Sequence, residues 1–168
     1  CIRDSAYYEQ AGILIARPAG GTSCRLAISA KGGTNAENHN HNDVGSYAVA
    51  LGSETMVGDQ GGPNSYPGDY FNGDAPQKYK IKGSFGHPVP VVDGRTQSSG
   101  GKAKGVVLQK EFTNEKDVFS IDYTSAYSTP NLDKLIRTFV YDRQGEGNFT
   151  VGDEFTAKTP IRFETAIT

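Results

Sequence analysis

The chain has 168 residues, 36% hydrophobic and 10% aromatic, so it is long enough to fold as one domain around a core. Seventeen basic and nineteen acidic residues leave a net charge of -2, which argues against a protein that binds duplex nucleic acid by neutralising many phosphates. Cys1 and Cys24 are the only cysteines, so neither a disulfide framework nor a structural zinc finger is predicted. The apolar stretch at residues 11–16 is too short to span a bilayer, and we expect no membrane span.

Short segments rich in branched and aromatic residues, each bounded by Gly, Pro, Asn or Asp, predict β-strands. Alternation supports several of them, as where Leu26 and Ile28 are apolar while Arg25 and Ser29 are polar. The predicted strands are 13–17, 24–30, 46–51, 55–57, 89–92, 105–112, 118–123, 135–141, 148–151 and 161–166. No segment sustains a helical period. We therefore expect an all-β fold, a two-sheet antiparallel β-sandwich that forms a single domain over residues 1–168.

All three histidines belong to one constellation with aspartate. His39 and His41 lie in the string NHNHND, Asp59 follows a short apolar run, and His87 precedes a proline. If the first string is extended, His39, His41 and Asp43 project to the same face. A set of His, Asp and His leaves a fourth position open, as zinc permits, so the pattern predicts a metal site. The plainer alternative is a polar loop, a turn aspartate and a structural histidine.

The connection from Gln60 to Ser84 is long, aromatic and rich in glycine and proline. Loops of this length in compact domains are usually functional or disordered, and the position between two candidate metal ligands favours function. Within it, Lys78, Lys80 and Lys82 alternate with other residues, which predicts three ammonium groups on one face of an extended stretch. They protect a strand edge, or they bind the carboxylates or sulfates of a polyanion.

Motifs along nearly the whole chain resemble the C-terminal β-sandwich of the heparinase II/III-like polysaccharide lyases. They are residues 38–47 (NHNHNDVGSY), 57–62 (VGDQGG), 87–94 (HPVPVVDG) and 122–127 (DYTSAY), followed by Arg137. The first of these is fairly specific.

The resemblance implies roles for the histidines and one aspartate. In this family a His, an Asp and a His hold zinc, which carries over to His41, Asp59 and His87. The first histidine of the HxH pair, here His39, is expected to face the substrate cleft. One departure is Pro88, where family members often have asparagine after the third ligand.

The resemblance also implies a reaction and a missing part. These lyases look like an α/α toroid followed by this sandwich, they cleave uronic-acid polysaccharides by β-elimination, and the catalytic tyrosine lies on the toroid. The chain has no helical domain and begins without methionine, so we expect a C-terminal fragment of a larger lyase. A polyanionic substrate further implies export to the periplasm or outside the cell.

Two other interpretations stay open. His41, Asp43 and His87, with Arg95 further on, also fit the HxD...H triad of a non-haem Fe(II) oxygenase. The discriminator is the aspartate: Asp43 as a ligand supports iron, and Asp59 supports zinc and a lyase. We favour Asp59, because the flanking lyase motifs have no role in the oxygenase pattern. A non-catalytic carbohydrate-binding sandwich is the remaining possibility.

Overall fold

The computed structural model describes residues 4–18, 20–165 and 167–168; Cys1 and the predicted strand end at residue 166 lie outside them. The strands are β1 (Ser5–Tyr8), β2 (Ile13–Ala16), β3 (Leu26–Lys31), β4 (Thr34–Asn35), β5 (Tyr47–Leu51), β6 (Glu54–Val57), β7 (Pro90–Val92), β8 (Gly100–Lys104), β9 (Val106–Phe112), β10 (Lys116–Asp122), β11 (Leu132–Asp142), β12 (Asn148–Ala157) and β13 (Phe163–Thr165). One short helix, α1 (Ala75–Lys78), and 3₁₀ turns at Lys80–Lys82, Ser84–Gly86 and Thr124–Ala126 complete the secondary structure.

Two antiparallel sheets dominate the fold. The larger has the order β1-β2-β3-β5-β6, the second has the order β12-β11-β10-β9, and β13-β7 and β4-β8 form two small pairs. The inward residues of both sheets belong to one hydrophobic cluster, which includes Leu14, Ala16, Ile28 and Ala30 from the larger sheet and Phe119, Ile121, Leu135, Phe139 and Tyr141 from the second. The predicted all-β sandwich is confirmed.

All ten predicted strands are present, with ends shifted by a few residues. Three strands escaped prediction: β1, the two-residue β4, and β8, whose sequence GGKAK has no branched or aromatic residue. β12 extends six residues past its predicted end, because it pairs with β11 beyond Gly152, where the apolar pattern stops.

The long connection between β6 and β7 is folded back on itself rather than extended. Its aromatic side chains form a cluster in which neighbouring ring centroids lie 5.0 to 5.3 Å apart, made of Tyr66, Tyr70, Phe71 and Tyr79. Such contacts stabilise a segment that has little regular backbone hydrogen bonding. Among the described residues no helix is long and apolar enough to cross a membrane.

Candidate metal centre

The fold brings His41, Asp59 and His87 together from three separate places. His41 lies on the loop between β4 and β5, Asp59 follows the end of β6, and His87 follows a 3₁₀ turn shortly before β7. One ligand atom from each residue lies within 4.8 Å of the others, and of the described residues only these three form such a group.

The distances in this group suit a small tetrahedral cation. His41 Nδ1 lies 3.0 Å from His87 Nε2 and 3.7 Å from Asp59 Oδ2. The other ring nitrogen of His87, Nδ1, also lies 3.7 Å from Asp59 Oδ2, and a single ion would bind only one of the two nitrogens. Bonds of about 2.0–2.1 Å to a tetrahedral zinc place neighbouring ligand atoms about 3.3 Å apart, which falls between the two distances measured from His41 Nδ1. The donor set fits zinc, and so does the spacing around His41 Nδ1.

Burial favours the neutral form of both imidazoles, which is the form that binds metals. Burial lowers the pKa of His41, and the neighbouring His87 lowers it further, against the opposing charge of Asp59. Burial likewise lowers the pKa of His87, which is 1% exposed, against the raising effects of Asp43 and Asp59. Asp59 stays about half-exposed, and its Oδ1 accepts a hydrogen bond from the Gly61 N–H at 2.7 Å.

The expectation that His39, His41 and Asp43 line one face of an extended segment is wrong. His39 has φ 58°, so the chain turns there, and no strand covers residues 36–46. His39 is exposed and outside the ligand group, and its ring packs against Phe71 in a tilted arrangement with ring centroids 4.4 Å apart. The side chain of Asp43 pairs instead with Lys31.

This arrangement also separates the two aspartates. The group that could hold a metal contains Asp59 and omits Asp43. Arg95, the anchor expected for an oxoacid in an oxygenase, is exposed in the turn that follows β7. The geometry therefore favours the zinc interpretation over the iron triad.

His87 has the extended backbone expected before a proline, with φ -137° and ψ 153°.

A buried arginine ties two of the ligand-bearing segments together. Arg137, 1% exposed, donates from Nη1 to the carbonyls of Gly45 at 2.8 Å and Pro88 at 2.7 Å. Its Nε and Nη2 bind the two oxygens of Asp153 at 2.8 and 2.7 Å, and Tyr123 donates its hydroxyl to the same carboxylate. Since Pro88 follows His87 and Gly45 lies four residues after His41, Arg137 links the two backbone segments that carry the histidines.

Gln97 performs a similar task on the other side of the loop. The side-chain amide of Gln97 donates to the Val44 carbonyl at 2.6 Å and accepts from the Val44 N–H at 3.0 Å. The backbone N–H of Gln97 donates to Ser84 Oγ at 3.0 Å. Asn42 adds a backbone bond to the Lys82 carbonyl at 2.8 Å. Sequence reasoning noted Arg137 without a role and missed Gln97, which no motif marks.

The prediction that Lys78, Lys80 and Lys82 share one face of an extended stretch is wrong. Lys78 ends α1, where it is exposed and pairs with Asp69, and Lys80 is exposed on the following 3₁₀ turn. Lys82 is buried. The helix begins with Pro76 in its first turn, a position that suits proline. The three ammonium groups therefore have three different environments.

Two cavities adjoin this region. One of about 190 Å³ is lined by Asp43, Asp59 and His87 together with residues of the larger sheet. A second, of about 330 Å³, lies beside the turn that carries His39 and is lined by Phe71 and Lys82 among others. Both cavities therefore lie close to the candidate metal centre.

No model of a protein family matches the chain, and no curated protein matches it. Among solved structures, it is similar to crystal structures of heparan sulfate lyase HepC from Pedobacter heparinus and of a mutant of that enzyme, at 19% and 18% identity and a TM-score of 0.71. Each match covers 95% of this chain and 23% of the other. At this identity the likeness shows the fold, and it agrees with the fold predicted from the lyase motifs. The chain therefore spans about a quarter of the length of that lyase and has the same fold as the part that it matches.

Proposed function

We propose that this chain is the zinc-binding β-sandwich of a polysaccharide lyase that cleaves uronic-acid-containing polysaccharides by β-elimination. The observation that carries the proposal is the convergence of His41, Asp59 and His87 beside the exposed His39. The fold likeness to a heparan sulfate lyase supports it. The motif resemblance supplies the same four residues.

The proposed chemistry needs three groups around a uronate. A base removes the proton at C5, an acid protonates the leaving glycosidic oxygen, and the carboxylate must be neutralised while the intermediate resembles an enolate dianion. His39 is the residue of this chain that we assign to the uronate, because its ring is exposed and outside the ligand group. The proton-transfer tyrosine is assigned to an α/α toroid that precedes the sandwich in the longer protein.

Zinc, when bound, would supply structural cross-linking between the loop of His41 and the segment of His87. His41 and His87 would hold it through ring nitrogens and Asp59 through a carboxylate oxygen. The chain's own contribution is to keep the turn at His39 in place, through the bonds that Arg137 and Gln97 make to the same loop.

The natural partner in this proposal is an anionic polysaccharide such as a glycosaminoglycan or alginate. Lys78 and Lys80 are exposed and remain proposed contacts for its acidic groups. Because large polyanions of this kind occur outside the cytoplasm, we also propose a periplasmic or secreted location.

The test uses the natural protein at its full length, incubated with heparan sulfate, hyaluronan and alginate. Cleavage by β-elimination creates a double bond in the uronate at the new end, which is measured by its ultraviolet absorbance. We expect activity on at least one substrate and none from residues 1–168 alone. Hydrolysis without unsaturated products, or binding without cleavage, would overturn the lyase proposal; the second result is the one expected for a carbohydrate-binding sandwich.

A further inference from the structure

Lys82 is a buried lysine that lacks an acidic partner. It is 2% exposed, and its ammonium donates a hydrogen bond to the Tyr70 carbonyl at 2.8 Å. The same ammonium lies 4.7 Å from the ring centroid of Tyr70 and 5.2 Å from that of Phe71. Within the described part of the chain, no carboxylate pairs with it.

Such an arrangement is costly for a cation. A buried charge usually has an ion pair, and one carbonyl and two aromatic faces only partly replace the hydration of an ammonium group. Burial accordingly lowers the pKa of Lys82. An ammonium has three donors, and one of them is used by Tyr70. The environment therefore favours an added anion beside Lys82.

The space for an anion lies next to this lysine. Lys82 and Phe71 both line the cavity of about 330 Å³, and the ammonium lies 5.2 Å from the centroid of the Phe71 ring. Asn40, Asn72 and Ser99 also line the cavity, with amide and hydroxyl groups in their side chains. An aromatic face, several amides and one cation are the groups that bind an acidic sugar, whose ring is apolar on one face and whose edge carries hydroxyls and an oxyanion.

We propose that this cavity is a subsite for an acidic sugar, in which the Lys82 ammonium binds the oxyanion, a carboxylate or a sulfate, and the Phe71 ring packs against the sugar. The ring of His39 packs against the same Phe71 ring, so the subsite adjoins the residue assigned to the uronate. The class of ligand rests on the proposed function, and the subsite adds a specificity determinant to it. Glu37 also lines the cavity; its carboxylate accepts from Thr34 Oγ1 at 3.1 Å and keeps further lone pairs that can accept from a sugar hydroxyl.

The test measures equilibrium binding of three monosaccharides to the full-length protein by NMR titration: methyl glucuronide, glucosamine 6-sulfate and methyl glucoside. None of them has a glycosidic bond that β-elimination can break, so turnover cannot disturb the result. We expect the wild type to bind at least one acidic sugar more tightly than methyl glucoside. The preferred acid identifies the oxyanion as carboxylate or sulfate.

Variants distinguish binding from a structural role. Lys82→Met keeps the length of the side chain and removes the donors, and should weaken the acidic sugar about ten-fold or more with little effect on methyl glucoside. Lys116→Met is the matched control, because Lys116 is exposed at the start of β10, is not part of the cavity and has no proposed role in binding; it should change neither affinity.

A second pair of variants covers the case in which Lys82→Met fails to fold. Asn72 is exposed and lines the cavity, so Asn72→Asp adds a carboxylate near Lys82 with little effect on folding. It should weaken the acidic sugars selectively, whereas Asn72→Ala should not discriminate between acidic and neutral sugars.

Three results would overturn the subsite. The first is an equal loss of affinity for acidic and neutral sugars in Lys82→Met, and the second is unchanged affinity in both Lys82→Met and Asn72→Asp. The third is that neither acidic sugar binds to the wild type. The lyase proposal is tested independently of the subsite. Unsaturated products with unaffected Lys82 variants would remove the subsite alone, and selective acidic-sugar binding without unsaturated products would remove the lyase alone.

Discussion

Replacing Arg137 with methionine tests whether the buried guanidinium holds the metal centre together. The variant removes the paired bonds to Asp153 and the donors to the carbonyls of Gly45 and Pro88. Methionine fills much of the same volume, so the change removes mainly the hydrogen bonds and the charge.

The structure sets the size of the effect. Removing one partner of a buried ion pair costs about 3–5 kcal/mol. The lower end applies here, because the Asp153 side chain is 14% exposed and keeps the hydroxyl of Tyr123. Two carbonyls without donors add about 1 kcal/mol or more. We therefore expect the free energy of unfolding to fall by about 4 kcal/mol, or Tm by roughly 8–16 °C for a domain of this size.

The decisive assay compares this variant with Arg143→Met. Arg143 forms a second buried ion pair, with Asp117 at 2.6 Å, and its other bonds reach Ser5, Arg17 and Thr113, away from the candidate ligands. Both variants should lose stability in urea unfolding. Only Arg137→Met should also weaken zinc binding, measured by competition with a chromophoric chelator at a temperature where both variants are folded.

Two results would refute this reasoning. A loss of less than about 1 kcal/mol in Arg137→Met would show that the bonds contribute little net stability. Equal zinc affinity in folded Arg137→Met and wild type would show that the arginine stabilises the sandwich without fixing the histidines.

Three further predictions concern the loop and its metal. Removal of zinc by a chelator should lower Tm, and readdition should restore it, because a ligand bound only by the folded state stabilises that state; an unchanged Tm would argue against a structural metal. His41→Ala should lose zinc and stability together, while His39→Ala should keep both and lose about 100-fold or more of lyase turnover; reversed zinc contents would mean that the two roles are exchanged. Gly45→Ala should cost about 1–3 kcal/mol, because φ is +86° and a Cβ would lie 3.2 Å from Cε2 of Tyr123, whereas Gly152→Ala meets nothing within 4 Å and should be neutral in urea unfolding.

Local patterns predicted the strands well, because a strand with one buried face has alternating apolar and polar residues in its sequence. The candidate metal ligands could also be predicted from the sequence, since the chain has only three histidines and Asp59 lies between two of them. The structure brings these three side chains together, and metal binding by them stays a prediction.

The supporting contacts could not be predicted, because they depend on register and on loops that meet in space. Arg137 faces Asp153 only because β11 and β12 pair with these two residues opposite each other. Its other acceptors, Gly45 and Pro88, belong to loops far away in the chain. The conformation of the lysine segment was missed for another reason: lysine alternation mimics a strand edge, while the nearby proline and the aromatic cluster favour helical turns.

The most direct test of the central claim is the metal content of the protein, purified without a histidine tag, together with the Asp59→Asn and Asp43→Asn variants. Elemental analysis should give one zinc per chain in the wild type and in Asp43→Asn, and none in Asp59→Asn. X-ray absorption should show Zn–N distances of about 2.0–2.1 Å. A metal-free protein, or an iron edge that disappears in Asp43→Asn and persists in Asp59→Asn, would contradict the account.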